Sequence, residues 1–177
     1  VYRKILYADT TQKEMDYFQQ QTDFNGKWES ALDDLILSDV QETCNDDKYF
    51  IFQELLEVAT MLFFRDRQVY DMLKVKPNSP LVMVGPNEKP VGLFPPCGVL
   101  PVQHFTQYMA PFCYLSDSKE EFYFIFRAFY AKYFCHLQTI SSSSQGILSL
   151  CQLFEELLQT YEPEVCFHLN SMGINPL

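Results

Sequence analysis

Apolar residues in this chain recur at helical spacing rather than in strict alternation. Over residues 31–43 (ALDDLILSDVQET), Leu32, Leu35, Ile36 and Val40 fall on one side, which predicts a helix. From Lys48 to Asp71 the stripe is longer. Phe52, Leu55, Leu56, Ala59, Leu62 and Phe63 follow i, i+3, i+4, i+7 spacing and predict one long helix with a core-facing side. Asn45-Asp46-Asp47, between the two stretches, is a stop-and-cap signal. Residues 102–115 are apolar but contain Pro111, which predicts a kink or a helix end there. Residues 119–138 place Phe122, Ile125, Phe126, Phe129 and Tyr133 on one face. The cleanest pattern covers 145–161, where Ile147, Leu150, Cys151, Phe154, Leu157, Leu158 and Tyr161 form one stripe. Pro163 suits a first helical position, and a short helix over 164–172 is closed by Gly173.

Other segments interrupt the helical pattern. Residues 1–30 are polar and aromatic and read as irregular or short helical structure. Ser141–Ser144 is a loop. Seven of the ten prolines lie between Pro77 and Pro101, with Gly85, Gly92 and Gly98. Proline removes a backbone donor and cannot sit inside a helix, so this segment is an insertion loop at about 75–101, with a short extended piece at 81–84. Loops of that length are usually either functional or disordered. The expected fold class is all-α: a multi-helix array over 31–177, preceded by an extension or first helix in 1–30. No internal repeat is visible.

Composition narrows the function. With 177 residues, 47% hydrophobic and 16% aromatic, the chain is long and apolar enough to fold around one core. A net charge of −10 argues against nucleic acid or an anionic lipid surface as partner, since both select basic footprints. No apolar run reaches the roughly 20 residues of a membrane span. The Val1-Tyr2-Arg3-Lys4 start lacks Met and is no signal peptide, so the chain reads as a piece of a longer protein. Six cysteines, at 44, 97, 113, 135, 151 and 166, contain no CxxC pair and match no zinc spacing. They read as reduced core thiols in a cytoplasmic, reducing compartment.

Residue-level chemistry is sparse. His104, His136 and His168 each read as isolated. The pairs Asp33-Asp34, Asp46-Asp47, Glu120-Glu121 and Glu155-Glu156 read as solvated faces, because adjacent helical residues diverge by about 100°. Neither GxGxxG nor GxxxxGK[ST] occurs. The chain is expected to hold no cofactor, no metal and no self-sufficient enzyme site.

An ordered set of motifs stands above this background. The first is Ile36-Leu37-Ser38-Asp39-Val40-Gln41-Glu42-Thr43. The second is Pro101-Val102-Gln103-His104-Phe105, running into Met109-Ala110-Pro111-Phe112-Cys113-Tyr114-Leu115. The third is Glu121-Phe122-Tyr123-Phe124-Ile125-Phe126. The fourth is Glu164-Val165-Cys166-Phe167-His168-Leu169 with Gly173-Ile174-Asn175-Pro176. Together they resemble the TBC domain, the all-helical domain of Rab GTPase-activating proteins. Its pattern is IxxDxxR, then YxQGM with an "APLLYL" continuation, then "AFWCF", then "LxxHLxxxGIxP". The likeness covers 31–177, the N-terminal and central part of such a domain, and ends before the domain's last helices.

The resemblance implies a mechanism in trans. An Arg stabilises the charge that builds on the γ-phosphate during GTP hydrolysis, and the Gln of YxQ positions the attacking water. Gln103 matches that Gln. Asp39 matches the Asp that orients the Arg. The Arg position itself is Glu42, whose carboxylate would repel phosphate. Arg65, Arg67 and Arg127 are the guanidinium groups that could substitute for it. The implied partner is a Rab-family GTPase in its GTP form, and the implied setting is vesicle traffic, with recruitment to membranes through that partner. Two expectations follow: a GTPase activator weakened by Glu42, or a non-catalytic Rab-binding scaffold.

Overall fold

Asp66 shapes the first half of the molecule. Its backbone is extended (φ −82°, ψ 105°) and its carboxylate caps the next helix by accepting the Gln68 N–H at 2.8 Å. The single helix expected over 48–71 is therefore two, Gln53–Arg65 and Arg67–Met72. The apolar stripe ends at Phe63, and the next positions on that face are the charged Asp66 and Arg67.

The computed structural model describes residues 11–25, 30, 32–45, 50–77, 82–84, 90–137 and 144–174. The elements in order are α1 (Gln12–Asn25), α2 (Asp33–Thr43), α3 (Gln53–Arg65), α4 (Arg67–Met72), β1 (Val82–Val84), β2 (Pro90–Leu93), α5 (Phe105–Met109), α6 (Lys119–Lys132), α7 (Ser144–Tyr161) and α8 (Pro163–Ser171). Short 3₁₀ turns at Ala110–Tyr114 and Phe134–His136 follow α5 and α6. The all-α class stands. The proline-rich segment adds a small antiparallel hairpin, β1 against β2, with a bulge between Met83 and Val84. Pro111 ends α5 by turning it into the 3₁₀ segment. The Asp46-Asp47 cap, Ser141–Ser143 and the Asn175-Pro176 end of the fourth motif lie outside the described residues.

The chain forms two units, Val1–Cys135 and His136–Leu177. In the first, α2 presents Ile36 and Val40 to the core, while Leu35 faces out at 60% exposure. Helix α1 packs on α3 and α6 and adds Phe18. Aromatic rings meet at the centre: Phe63 lies edge-on to Tyr130 at 4.9 Å, and Phe64 lies tilted against Phe105 at 4.8 Å. Such pairs add stabilisation beyond area burial. Helix α6 is covered by α1, α3, α4 and the 110–114 turn, so all six residues from Phe122 to Arg127 are buried. Ser118 caps α6 by accepting the Glu121 N–H.

The approach to the second motif is fixed by backbone contacts. The Cys97 N–H donates to Phe64 O at 3.4 Å, and Gly98 adopts φ +73° with a 2.8 Å bond to Pro95 O. A Cβ on Gly98 would lie 2.4 Å from the Tyr70 ring, so only glycine fits.

In the second unit α7 packs on α8. Pro163 opens α8, and Gly173 (φ +71°) closes it with an N–H bond to Asn170 O. The expected core stripe of α7 is largely in solvent: Leu150, Phe154, Leu157 and Tyr161 are 45% to 74% exposed. None of the six cysteines is in a disulfide; five are buried and Cys151 is partly covered. No helix among the described residues is long and apolar enough to cross a membrane.

Candidate functional site

Helix α2 carries Leu35, Ser38, Asp39 and Glu42 at i, i+3, i+4, i+7 spacing, one side of the helix. That side forms one wall of a groove of about 260 Å³. Pro101, Val102 and Gln103 form the opposite wall, and Thr60, Phe64 and Phe105 form the floor. Asp39, Glu42 and Gln103, singled out in the sequence from two separate motifs, thus line one groove.

Asp39 is the joint between the two walls. Its Oδ1 accepts the His104 N–H at 2.6 Å and its Oδ2 accepts the Thr106 N–H at 2.8 Å. Both donors lie at the start of α5, where backbone N–H groups lack helical partners. The carboxylate therefore caps α5 from across the chain. The Thr106 hydroxyl donates to Asp39 O at 3.0 Å, and the hydroxyls of Thr43 and Thr106 meet at 2.6 Å. With its proton given to Asp39 O, Thr106 accepts from Thr43. These four bonds tie the end of α2 to the residues after Gln103. Gln103 itself is exposed in the turn and lines the groove.

His104 has φ +65°, the left-handed region that costs a side-chain-bearing residue about 1 kcal/mol or more. The family pattern has Gly at this position, which is the residue that tolerates it. The expectation that His104 stands alone is overturned. Its Nδ1 lies 3.8 Å from Glu42 Oε1 and 3.3 Å from Gln107 Nε2. Asp39, Glu42 and His104 bring one donor atom each within 4.8 Å of one another. Sequence reasoning missed this because 62 positions separate Glu42 from His104, and no local motif links them.

The three arginines are placed elsewhere. The Arg65 Nη2 meets both carboxylate oxygens of Asp33 at 2.6 Å. That also corrects the reading of Asp33 as merely solvated. Arg127 is buried, with Nη1 3.1 Å from Asp66 Oδ2 and 3.1 Å from Gln68 Oε1. Arg67 is exposed beside Asp71 and over the Tyr70 ring. No lysine or arginine is among the described residues that line the groove. A basic side chain is also missing from the last turn of α2, where a helix C-terminus favours positive charge.

A scan against protein-family models found no match, and no solved structure matches. The chain is similar to TBC1 domain family member 19 of Homo sapiens, with 37% identity over 179 aligned positions. The similarity covers 98% of this chain and 34% of that protein. The chain thus spans about a third of the length of the curated relative it matches.

Proposed function

We propose that residues 31–177 form part of a TBC-type domain that engages a Rab-family GTPase in its GTP form, with Gln103 reaching the nucleotide. One observation carries the reading. Asp39, Glu42 and Gln103 match catalytic motif positions of that family, and they line a single groove although 61 positions separate Glu42 from Gln103. The similarity to TBC1 domain family member 19 points the same way. In this reading the protein works in the cytoplasm on vesicle traffic and reaches membranes through its GTPase.

The mechanism divides between two residues. Gln103 offers an amide that can both accept from and donate to an attacking water. Asp39 fixes the turn that presents it, through the N–H of the next residue. Glu42 works against the reaction. A unit charge 4 Å from another is worth about 4 kcal/mol near a protein surface, and here both charges would be negative. The activation falls far below the roughly 10³–10⁵ that an arginine in trans supplies.

A second reading keeps binding and drops catalysis. It is favoured by the lack of a cationic side chain among the described residues of the groove, with Arg65 and Arg127 held by other carboxylates. GTP hydrolysis measured across a panel of Rab proteins with the full-length protein decides between the two. Weak acceleration abolished by Gln103→Ala, and raised by Glu42→Arg, is the expected result. Binding to a Rab·GTP without acceleration supports the scaffold, and failure to bind any Rab rejects both readings.

A further inference from the structure

We propose that Asp39, Glu42 and His104 form a binding site for one borderline divalent cation of the zinc and cobalt class. The site stands whether or not the chain acts on a GTPase. The argument begins with the donors. One imidazole nitrogen and two carboxylates suit zinc-like ions better than calcium or magnesium, which take oxygen alone. Three protein ligands with a fourth position left to water is a common arrangement for such ions.

The geometry agrees. An ion roughly 2.0–2.2 Å from each donor fits between the His104 nitrogen and the Glu42 oxygen, which are 3.8 Å apart. Glu42 is half exposed, so one side-chain rotation brings its oxygen to the ion. Asp39 is already fixed. Each of its oxygens spends one lone pair on a backbone N–H and keeps another for a metal. Outer bonds of this kind are what orient metal ligands. The Gln107 amide lies 3.3 Å from the same His104 nitrogen. Donating there, it selects the tautomer whose Nδ1 carries a lone pair, the form that ligates. A metal would replace that long contact.

The charges agree as well. The last turn of α2 carries Glu42 and no basic residue, and the groove beside it has no lysine or arginine among its described lining. A divalent ion there would neutralise both carboxylates and meet the negative end of the helix. Here the imidazole distinguishes the cluster from an ordinary acidic patch.

Co²⁺ is the probe, added to the full chain and followed by calorimetry and visible absorption. One equivalent should bind, giving ligand-field bands without sulfur charge transfer. Glu42→Gln and His104→Ala should each weaken binding by at least about tenfold, since even an outer partner of a metal ligand is worth that much. Gln107→Ala should leave binding intact or tighten it. Both ligand positions are largely exposed, and circular dichroism verifies that the variants remain folded. The proposal is overturned by any of three results: no binding, binding that survives both ligand substitutions, or a cobalt–thiolate band.

Discussion

His104 carries a conflict at the scale of one residue. Its backbone is left-handed, and its N–H makes a 2.6 Å bond to Asp39. Because the bond uses the backbone, His104→Gly keeps it and removes the strain. Glycine costs entropy in the unfolded chain, so the net gain should be modest, up to about 1 kcal/mol. Urea denaturation would show it as a higher midpoint at unchanged slope, and a lower midpoint would refute the account. The positions of Asp39, Glu42 and Gln103 were legible as motif members. The bonds of Asp39 were not, because its partners are backbone N–H groups of residues 104 and 106, and a peptide N–H has no sequence signature. The left-handed turn was signalled only indirectly, by the Gly that the resembled pattern carries where this chain has His104.

At the scale of elements, periodicity served the helices well where one face is buried and the other wet. Helix α2, apart from the outward Leu35, and the first part of the expected 48–71 helix follow this pattern. It failed where burial is not one-sided. Helix α6 is surrounded, so Tyr123, Phe124 and Arg127 are buried although only one face was predicted. The α3–α4 break is made locally, by the Asp66 carboxylate capping the Gln68 N–H, and distant groups hold that carboxylate in place: it accepts from Tyr17 and Tyr123 at 2.6 Å and pairs with Arg127. This cluster makes Asp66 a strong test of the architecture. Asp66→Ala leaves Arg127 buried without its carboxylate, and removing one member of a buried pair typically costs about 3–5 kcal/mol. Arg127→Met with Asp66→Ala, which removes both charges, should recover part of that loss. A double variant no more stable than Asp66→Ala would show that the tyrosine bonds, rather than the ion pair, set the cost.

Across the whole molecule, burial sets how the fold responds to alkali. Burial pushes the Cys97 thiol up to about 12. Burial, then the charge of Asp66, raises Tyr123 well above its usual value. The Cys113 thiol, raised to about 12 chiefly by burial, and the partly exposed Tyr17, raised by burial and its bond to Asp66, act in the same direction. Each group stays protonated in the folded chain, while the unfolded chain loses those protons from about pH 8.5 for thiols and about pH 10 for tyrosines. Their stabilisation is therefore complete below those values and shrinks as pH rises. Cys97, protonated in the fold up to about pH 12, removes about 1.4 kcal/mol per pH unit once past its unfolded value, and Tyr123 adds to the loss past about pH 10. By pH 11 Cys97 alone costs about 3 kcal/mol, a sizeable part of the roughly 5–15 kcal/mol that holds a domain together. Stability measured by denaturant should be flat between pH 7 and 8, decline from about pH 9, and steepen past pH 10. Cys97→Ala should flatten the first part of the decline while leaving the steeper part in place. A curve level to pH 11 would mean that these groups ionise as easily folded as unfolded. The same burial predicts which thiol reacts near neutral pH. Five of the six are covered, so brief alkylation of the native chain at pH 7.5 should label Cys151 first, and labelling of Cys97 at a comparable rate would contradict the packing of the residues that lead into the groove.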